Sequence, residues 1–247
     1  MNTSNISSTK QKDAILLEKR AAQVQGGTAR AAVLGVNDGL VSTVCLVLGV
    51  AAATGGDRHA VMVAGFAGLV AGAFSMAAGE WVSVRAQVEL FQGILGDLAQ
   101  FVRRDVTLLR DTLEAKFVRD GLSPTIAQAA AKDVAQRDHH FTEFYARQVL
   151  GVNTDELGSP WTAAGSSWLL FTAGSLVALL PWFFGGGTVA VICSLVATSL
   201  ASLIVGAYIA KSSGRSLAHG AIRQFLVVVL ASAVTYGIGY LFGVAVL

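Results

Sequence analysis

The sequence predicts an all-α integral membrane protein with five transmembrane helices, and its composition and segment lengths support that fold class. Hydrophobic residues make up 53% of the 247 residues and charged residues only 14%, which is unusually little charge for a soluble domain. A helix needs about 20 apolar residues to cross a bilayer. Five segments have this length, namely 31–54, 60–82, 161–184, 188–210 and 224–247. Because the last three contain no charged residue, a soluble helical core is a poor alternative.

The basic residues predict the orientation of these spans. Of the 18 Lys and Arg residues, five precede the first span, nine lie between spans two and three, and three lie between spans four and five. Only Arg58 falls in a loop of the opposite side. The positive-inside rule therefore predicts a cytoplasmic N-terminus and an external C-terminus. Compact loops and a polar N-terminus without a targeting presequence favour a bacterial plasma membrane.

The chain divides into four predicted parts. They are a cytoplasmic tail (1–30), a hairpin of spans one and two (31–84), a cytoplasmic helical insert (85–159) and a block of spans three to five (160–247). Within the insert, Glu89 to Arg119 predicts one or two amphipathic helices with a break near Gly121. Ser123-Pro124 then predicts the start of a further helix that ends at Gly151.

Two carboxylates stand alone inside the apolar spans. Asp38 lies in span one and Glu80 in span two. A carboxylate in hydrocarbon costs a few kcal/mol, so each residue is a candidate functional site. The alternative is a side chain that reaches the interface or forms a hydrogen bond between helices.

Distances along the helices predict that Asp38 and Met76 lie at one depth in the membrane, with Glu80 one turn nearer the cytoplasm. Asp38 lies about 12 Å beyond Arg30, and Met76 lies about 13 Å before Arg85, at 1.5 Å per residue. Met76 and Glu80, four residues apart, share a helix face. The antiparallel spans one and two would thus hold two oxygen ligands and one thioether, although Met76 could serve only in packing.

Small residues surround these positions. The pairs Gly35/Gly39 and Gly68/Gly72 are small-xxx-small surfaces, and we expect them to bring spans one and two together. Asn37-Asp38-Gly39 is a turn-type sequence, so Asn37 could mark a local unwinding that frees carbonyl oxygens for an ion.

The ligand types predict a transported ion rather than a permanently bound cofactor. Carboxylates with one soft sulfur favour Fe²⁺ or Mn²⁺ over Mg²⁺ or Ca²⁺. Carboxylates also exchange protons, so metal binding and proton release would compete. This competition is the physical basis of metal/proton antiport.

At these residues the chain resembles the vacuolar iron transporter family. The resemblance rests on GVNDGLVSTVCLVLGVAAA (35–53), AGLVAGAFSMAAGEWVSVRAQVEL (67–90), and the register of 206–243. It implies a five-span homodimer with the ion path between the two copies. It also implies export of Fe²⁺, and often Mn²⁺, from the cytoplasm in exchange for protons, with Asp38, Met76 and Glu80 as pathway residues.

The insert departs from the family pattern. Family members with a metal-gathering insert carry runs of glutamates, whereas this chain keeps Glu89 and then reads Phe91-Gln92-Gly93. A different cytoplasmic metal site is a further hypothesis, because His and carboxylate ligands suit transition metals. Its candidate ligands are Glu89, Asp138, His139, His140 and Glu143. The alternative is an ordinary solvated helix face.

Two other functions remain open from the sequence. One is a membrane-anchored scaffold whose insert binds partners, and the other is a passive cation channel. No nucleotide-binding loop, hydrolytic triad or redox motif occurs, so we expect no enzymatic activity. The net charge of +2 gives no indication of nucleic acid as a partner. The expected partners are the metal ion, protons, membrane lipid and a second copy of the chain.

Overall fold

The computed structural model describes residues 28–136, 138–151 and 158–246, and the described secondary structure is helical. The helices follow the sequence in the order α1 (Thr28–Ala53), α2 (Arg58–Arg104), α3 (Val106–Arg119), α4 (Pro124–Ala135), α5 (Asp138–Gln148), α6 (Pro160–Leu179), a 3₁₀ turn (Leu180–Phe183), α7 (Gly187–Ser212) and α8 (Leu217–Val246).

Five of these helices are long and apolar enough to cross a membrane, which confirms the predicted number of spans. They are α1, α2, α6 together with the 3₁₀ turn, α7 and α8. Two boundaries differ from the predicted ones. α2 continues past Val82 to Arg104 as one 47-residue helix, and α8 begins at Leu217, before Gln224. At 1.5 Å per residue α2 is about 70 Å long, more than twice what a span requires.

The contacts divide the chain into two compact units, and the spans form one of them, residues 27–82 and 160–247. In this membrane unit α1 is the central helix, because it packs against α6, α7 and α8. The α1–α6 contact is close: a Cβ at Gly174 would lie 2.6 Å from the carbonyl oxygen of Val36. On the other side of α1, a Cβ at Gly239 of α8 would lie 2.1 Å from the carbonyl oxygen of Gly49.

The glycines of α1 face a different helix from the one predicted. A Cβ at Gly35 would lie 3.1 Å from the carbonyl oxygen of Ser167, and one at Gly39 would lie 2.2 Å from that of Phe171. Both contacts are with α6, so the prediction that these glycines join spans one and two is wrong. On α2, Gly68 receives the side chain of Leu46 of α1, which agrees with the predicted contact between spans one and two. Gly72 instead receives the ring of Phe171 of α6.

Hydrogen bonds of Asp57 and Arg58 hold the start of α2 in place. Asp57 accepts hydrogen bonds from the backbone N–H groups of His59 and Ala60, at 3.2 and 3.1 Å, which caps the helix. Arg58 donates to the carbonyl oxygens of Trp182 and Phe183, at 2.9 and 2.7 Å. These bonds satisfy carbonyl groups that the end of α6 and the 3₁₀ turn leave free.

The second unit contains residues 83–159 and has a hydrophobic core of its own. Leu113, Ala131 and Phe141 are fully buried there, and the rings of Phe117 and Phe144 pack edge to face. Because α3, α4 and α5 each contribute a buried residue, this unit packs as a small helical bundle.

Helix boundaries in this second unit agree only partly with prediction. The break near Gly121 is confirmed: Gly121 has φ +104°, a conformation that favours glycine. A further break at Asp105 separates α2 from α3, and the Asp105 carboxylate caps α3 at the N–H groups of Thr107 and Leu108. The predicted single helix from Ser123 to Gly151 is wrong, because α4 ends at Ala135 and α5 begins at Asp138.

Candidate functional site

Asp38 lies on an exposed stripe of α1. Leu34, Asp38 and Ser42 follow one another at intervals of four residues, and all three are exposed in the single chain. α1 is regular through this stripe, and the Ser42 hydroxyl donates to the Asp38 backbone carbonyl oxygen. The predicted unwinding at Asn37-Asp38-Gly39 is therefore wrong. The carboxylate projects from a continuous membrane-length helix.

Asn37, the residue before Asp38, is a further candidate ligand. Its side-chain oxygen Oδ1 is buried and has no hydrogen-bond partner in the described part of the chain. A buried acceptor without a donor costs about 1–3 kcal/mol, so water or a bound cation near it would be favourable. Asn37 therefore stays a candidate even though the helix does not unwind.

Met76 and Glu80 lie one turn apart on α2 and are both half-buried. Phe171 of α6 packs against both helices: its backbone contacts Gly39 of α1 and its ring contacts Gly72 of α2. Met76 is one turn beyond Gly72 and Asp38 is adjacent to Gly39. Within the described residues of one chain, no group of three or more His, Cys, Asp and Glu side chains is placed to hold a metal ion.

The predicted ligands of the insert are less favourably placed. Glu89 accepts an ion-pair contact from Arg85 at 2.6 Å, and both side chains are more than half exposed. The other four candidates lie on α5. His140 and Glu143 are exposed, whereas the side chains of Asp138 and His139 lie outside the described residues.

Sequence reasoning missed two features of the membrane unit. Thr43 Oγ1 donates to Ser175 Oγ at 2.8 Å, which joins α1 to α6 in the buried interior. Aromatic pairs also bridge α2 and α6: Phe74 with Trp168 and Trp81 with Trp161, with ring centroids 6.4 and 5.7 Å apart. The available signal was the equal seven-residue spacing of the aromatic residues in the two spans, 74 to 81 and 161 to 168.

The fold and these residues define a class: a multi-pass α-helical membrane protein with ionisable side chains in its spans. Comparison with known proteins narrows the class. The VIT family model matches residues 29–240, which is most of the chain. The chain belongs to this family, as its sequence predicted.

Named relatives agree over most of their length. The chain is 37% identical over 221 residues to "Vacuolar iron transporter homolog 1" of Oryza sativa subsp. japonica, which covers 87% of this chain and 73% of the relative. It is 33% identical to "Vacuolar iron transporter homolog 2" of Arabidopsis thaliana, and the aligned region covers 87% of this chain and 84% of the relative. It is 34% identical to "Vacuolar iron transporter homolog 2" of Oryza sativa subsp. japonica, and the aligned region covers 86% of this chain and 89% of the relative.

Proposed function

We propose that this protein exports Fe²⁺, and also Mn²⁺, from the cytoplasm in exchange for protons. Family membership supports transport of a metal ion, because the relatives are named as homologues of vacuolar iron transporters. The observation that carries the proposal is the exposure of Asp38 on a regular helix within a membrane span. An isolated carboxylate at such a position requires a polar neighbour or a cation.

A second copy of the chain supplies that polar neighbour in our proposal. Asp at the centre of a spanning helix costs about 2.5–3.5 kcal/mol on insertion scales, so an exposed Asp38 is unfavourable against lipid. In a twofold dimer the stripe formed by Leu34, Asp38 and Ser42 would face its own symmetry copy. Two Asp38 carboxylates would then line one path, where a divalent cation would neutralise their charges.

The donor atoms favour a transition metal as the transported substrate. Asp38 and Glu80 offer carboxylate oxygens, and Met76 offers a thioether sulfur. Asn37 offers an amide oxygen that has no donor among the described residues. Hard oxygen ligands bind many divalent cations, whereas the sulfur favours softer ions such as Fe²⁺. We assign selectivity to Met76 and binding to the oxygen ligands.

Glu80 couples the metal to protons in this mechanism. It lies one turn from Met76 on the same face, closer to the end of the apolar segment at Val82. Metal that enters from the cytoplasm displaces a proton from Glu80, since a ligating carboxylate must be deprotonated. A proton that arrives from outside then releases the metal. We assign the N-terminus and the insert to the cytoplasm and the C-terminus to the outside, in a bacterial plasma membrane.

Liposomes that contain the purified protein test the function. With an acidic lumen and external Fe²⁺ kept reduced, an antiporter accumulates metal and the lumen becomes less acidic as protons leave. A passive channel moves metal down its gradient without a coupled pH change, and a scaffold protein moves neither. Parallel runs with Mn²⁺, Co²⁺ and Mg²⁺ give the ion preference. Failure to accumulate Fe²⁺ beyond protein-free liposomes would refute the proposal.

A further inference from the structure

Three buried polar atoms on three helices of the membrane unit have no hydrogen-bond partner among the described residues. They are Asn37 Oδ1 on α1, Thr198 Oγ1 on α7 and Gln224 Nε2 on α8. Thr198 is fully buried, and Gln224 is 8% exposed. Buried polar atoms almost always have a partner, because leaving one unpaired costs its full desolvation free energy. Three such atoms in one unit therefore indicate a shared polar partner.

A hydrophobic cluster joins the same three helices. Val44 and Leu48 of α1 and Val228 of α8 are buried in it, and Val41 of α1 and Leu195 of α7 pack against it. Each of the three polar residues lies one helical turn from a member of this cluster, with Asn37 before Val41, Thr198 after Leu195 and Gln224 before Val228.

Helix direction brings these three turns to the same side of the cluster. Successive spans alternate in direction, so α7, the fourth span, runs opposite to α1 and α8, the first and the fifth. A Cβ at Gly206 of α7 would lie 2.8 Å from the Cβ of Gln224, which fixes Gln224 at the α7–α8 contact. Ser202, between Gly206 and Thr198 on α7, is fully buried as well. The three polar atoms thus converge where α1, α7 and α8 meet.

The chemistry of the three atoms suits water and does not suit a cation. Asn37 Oδ1 only accepts hydrogen bonds, Gln224 Nε2 only donates them, and the Thr198 hydroxyl can do both. A cation could bind the two oxygens but could not accept the Gln224 N–H. Water both donates and accepts, and a buried water typically makes about three hydrogen bonds to polar groups that lack other partners.

We propose that α1, α7 and α8 enclose an ordered water molecule that accepts from Gln224 Nε2, donates to Asn37 Oδ1 and bonds the Thr198 hydroxyl. Consecutive residues are about 100° apart around a helix, so this water lies on a different side of α1 from the exposed stripe that carries Asp38. Asn37 Oδ1 has two lone pairs, so the bond to water leaves one for a metal ion. The water therefore ties a candidate ligand of α1 to α7 and α8.

Two substitutions that keep the side-chain shape test the bridge by thermal unfolding of metal-free protein in detergent. Thr198→Val removes the hydroxyl, and Gln224→Met removes the amide. Each should lower the apparent melting temperature by several degrees, because the water loses a partner. The double variant should lose less than the sum, since both changes break one bridge. Thr235→Val is the matched control and should change little, because the Thr235 hydroxyl donates to the Ala231 carbonyl oxygen of its own helix.

Radiolytic labelling locates the water independently. Short X-ray pulses generate hydroxyl radicals from water in place, so a side chain beside a bound water is oxidised even where bulk solvent does not reach it. Val228 should be oxidised in the wild type and severalfold less in the double variant. Val61 is the matched control, because it is equally buried but belongs to a different hydrophobic cluster.

Three outcomes would overturn the assignment. Melting temperatures at or above that of the wild type for both single variants would show that no water joins these atoms. A fall for Gln224→Met but not for Thr198→Val, with Val228 unlabelled, would indicate a direct bond between the amides of Asn37 and Gln224. Labelling of Val228 no greater than that of Val61 in the wild type would refute the water even if the variants do not fold. Because the protein is free of metal, failure here is distinguishable from failure of the transport proposal.

Discussion

Gly39 of α1 and Phe171 of α6 lie in direct backbone contact: a Cβ on Gly39 would lie 2.2 Å from the Phe171 carbonyl oxygen. The ring of Phe171 meanwhile fills the position opposite Gly72 of α2. The backbone of Phe171 thus packs against the residue next to Asp38. Its ring packs against α2 one turn before Met76. The relative position of the two candidate ligand helices therefore depends on Phe171.

Gly39→Ala should destabilise the membrane unit, because the added methyl group meets backbone that cannot rotate away. Overpacking of this kind costs about 1–3 kcal/mol. The apparent melting temperature in detergent, followed by size-exclusion chromatography, should fall by several degrees. Gly237→Ala is the control, since no described neighbouring atom lies within 4 Å of its Cβ position. Equal melting temperatures for both variants would show that the α1–α6 contact is looser than described.

Asp38→Asn should abolish metal transport while the protein still folds and inserts. The substitution removes the charge and keeps the shape of the side chain, and the exposed carboxylate has no hydrogen-bond or ion-pair partner to lose among the described residues. Uptake of Fe²⁺ into liposomes is the measurement, with insertion checked by protease protection. Ser42→Ala, one turn away on the same stripe, should retain most of the activity. Wild-type uptake by well-inserted Asp38→Asn protein would exclude Asp38 from the path.

Met76→Leu should change ion preference more than total activity. Leucine has a similar volume but no sulfur, so packing is largely kept while the soft ligand is lost. The ratio of Fe²⁺ to Mg²⁺ uptake under competition should fall about tenfold or more. An unchanged ratio would mean that Met76 only packs.

Leu113→Ala should destabilise the helical bundle of residues 83–159 by about 2–5 kcal/mol, because it leaves a cavity in a fully buried position. Hydrogen exchange in α3, α4 and α5 should accelerate accordingly. Leu108→Ala is the matched control, because Leu108 is 62% exposed on the same helix. Comparable protection in the two variants would indicate that the buried cluster adds little stability.

The number of spans and the presence of isolated carboxylates within them could be predicted from the sequence. Apolar length and a single charged residue are both properties of a local segment. The packing partner of each glycine was not predictable, since a small-xxx-small pattern does not name the opposite helix. Gly39 pairs with Phe171, and Gly174 of α6 provides the matching surface against Val36.

Two helix boundaries also escaped prediction for physical reasons. No proline interrupts α2 between Val82 and Asp105, so the helix continues through a change in composition. No glycine or proline lies between α4 and α5, so the sequence carries no local signal for a break there.

The most direct test of coupled transport is a paired record of metal and pH in liposomes containing the wild type or Glu80→Gln. Glutamine keeps the size of the side chain but cannot exchange a proton. With an acidic lumen, the wild type should accumulate Fe²⁺ while luminal pH rises in proportion. Glu80→Gln should still bind Fe²⁺ but show neither accumulation nor the pH change. If Glu80→Gln accumulates Fe²⁺ against its gradient as the wild type does, with the same pH change, the proposed coupling at Glu80 is contradicted.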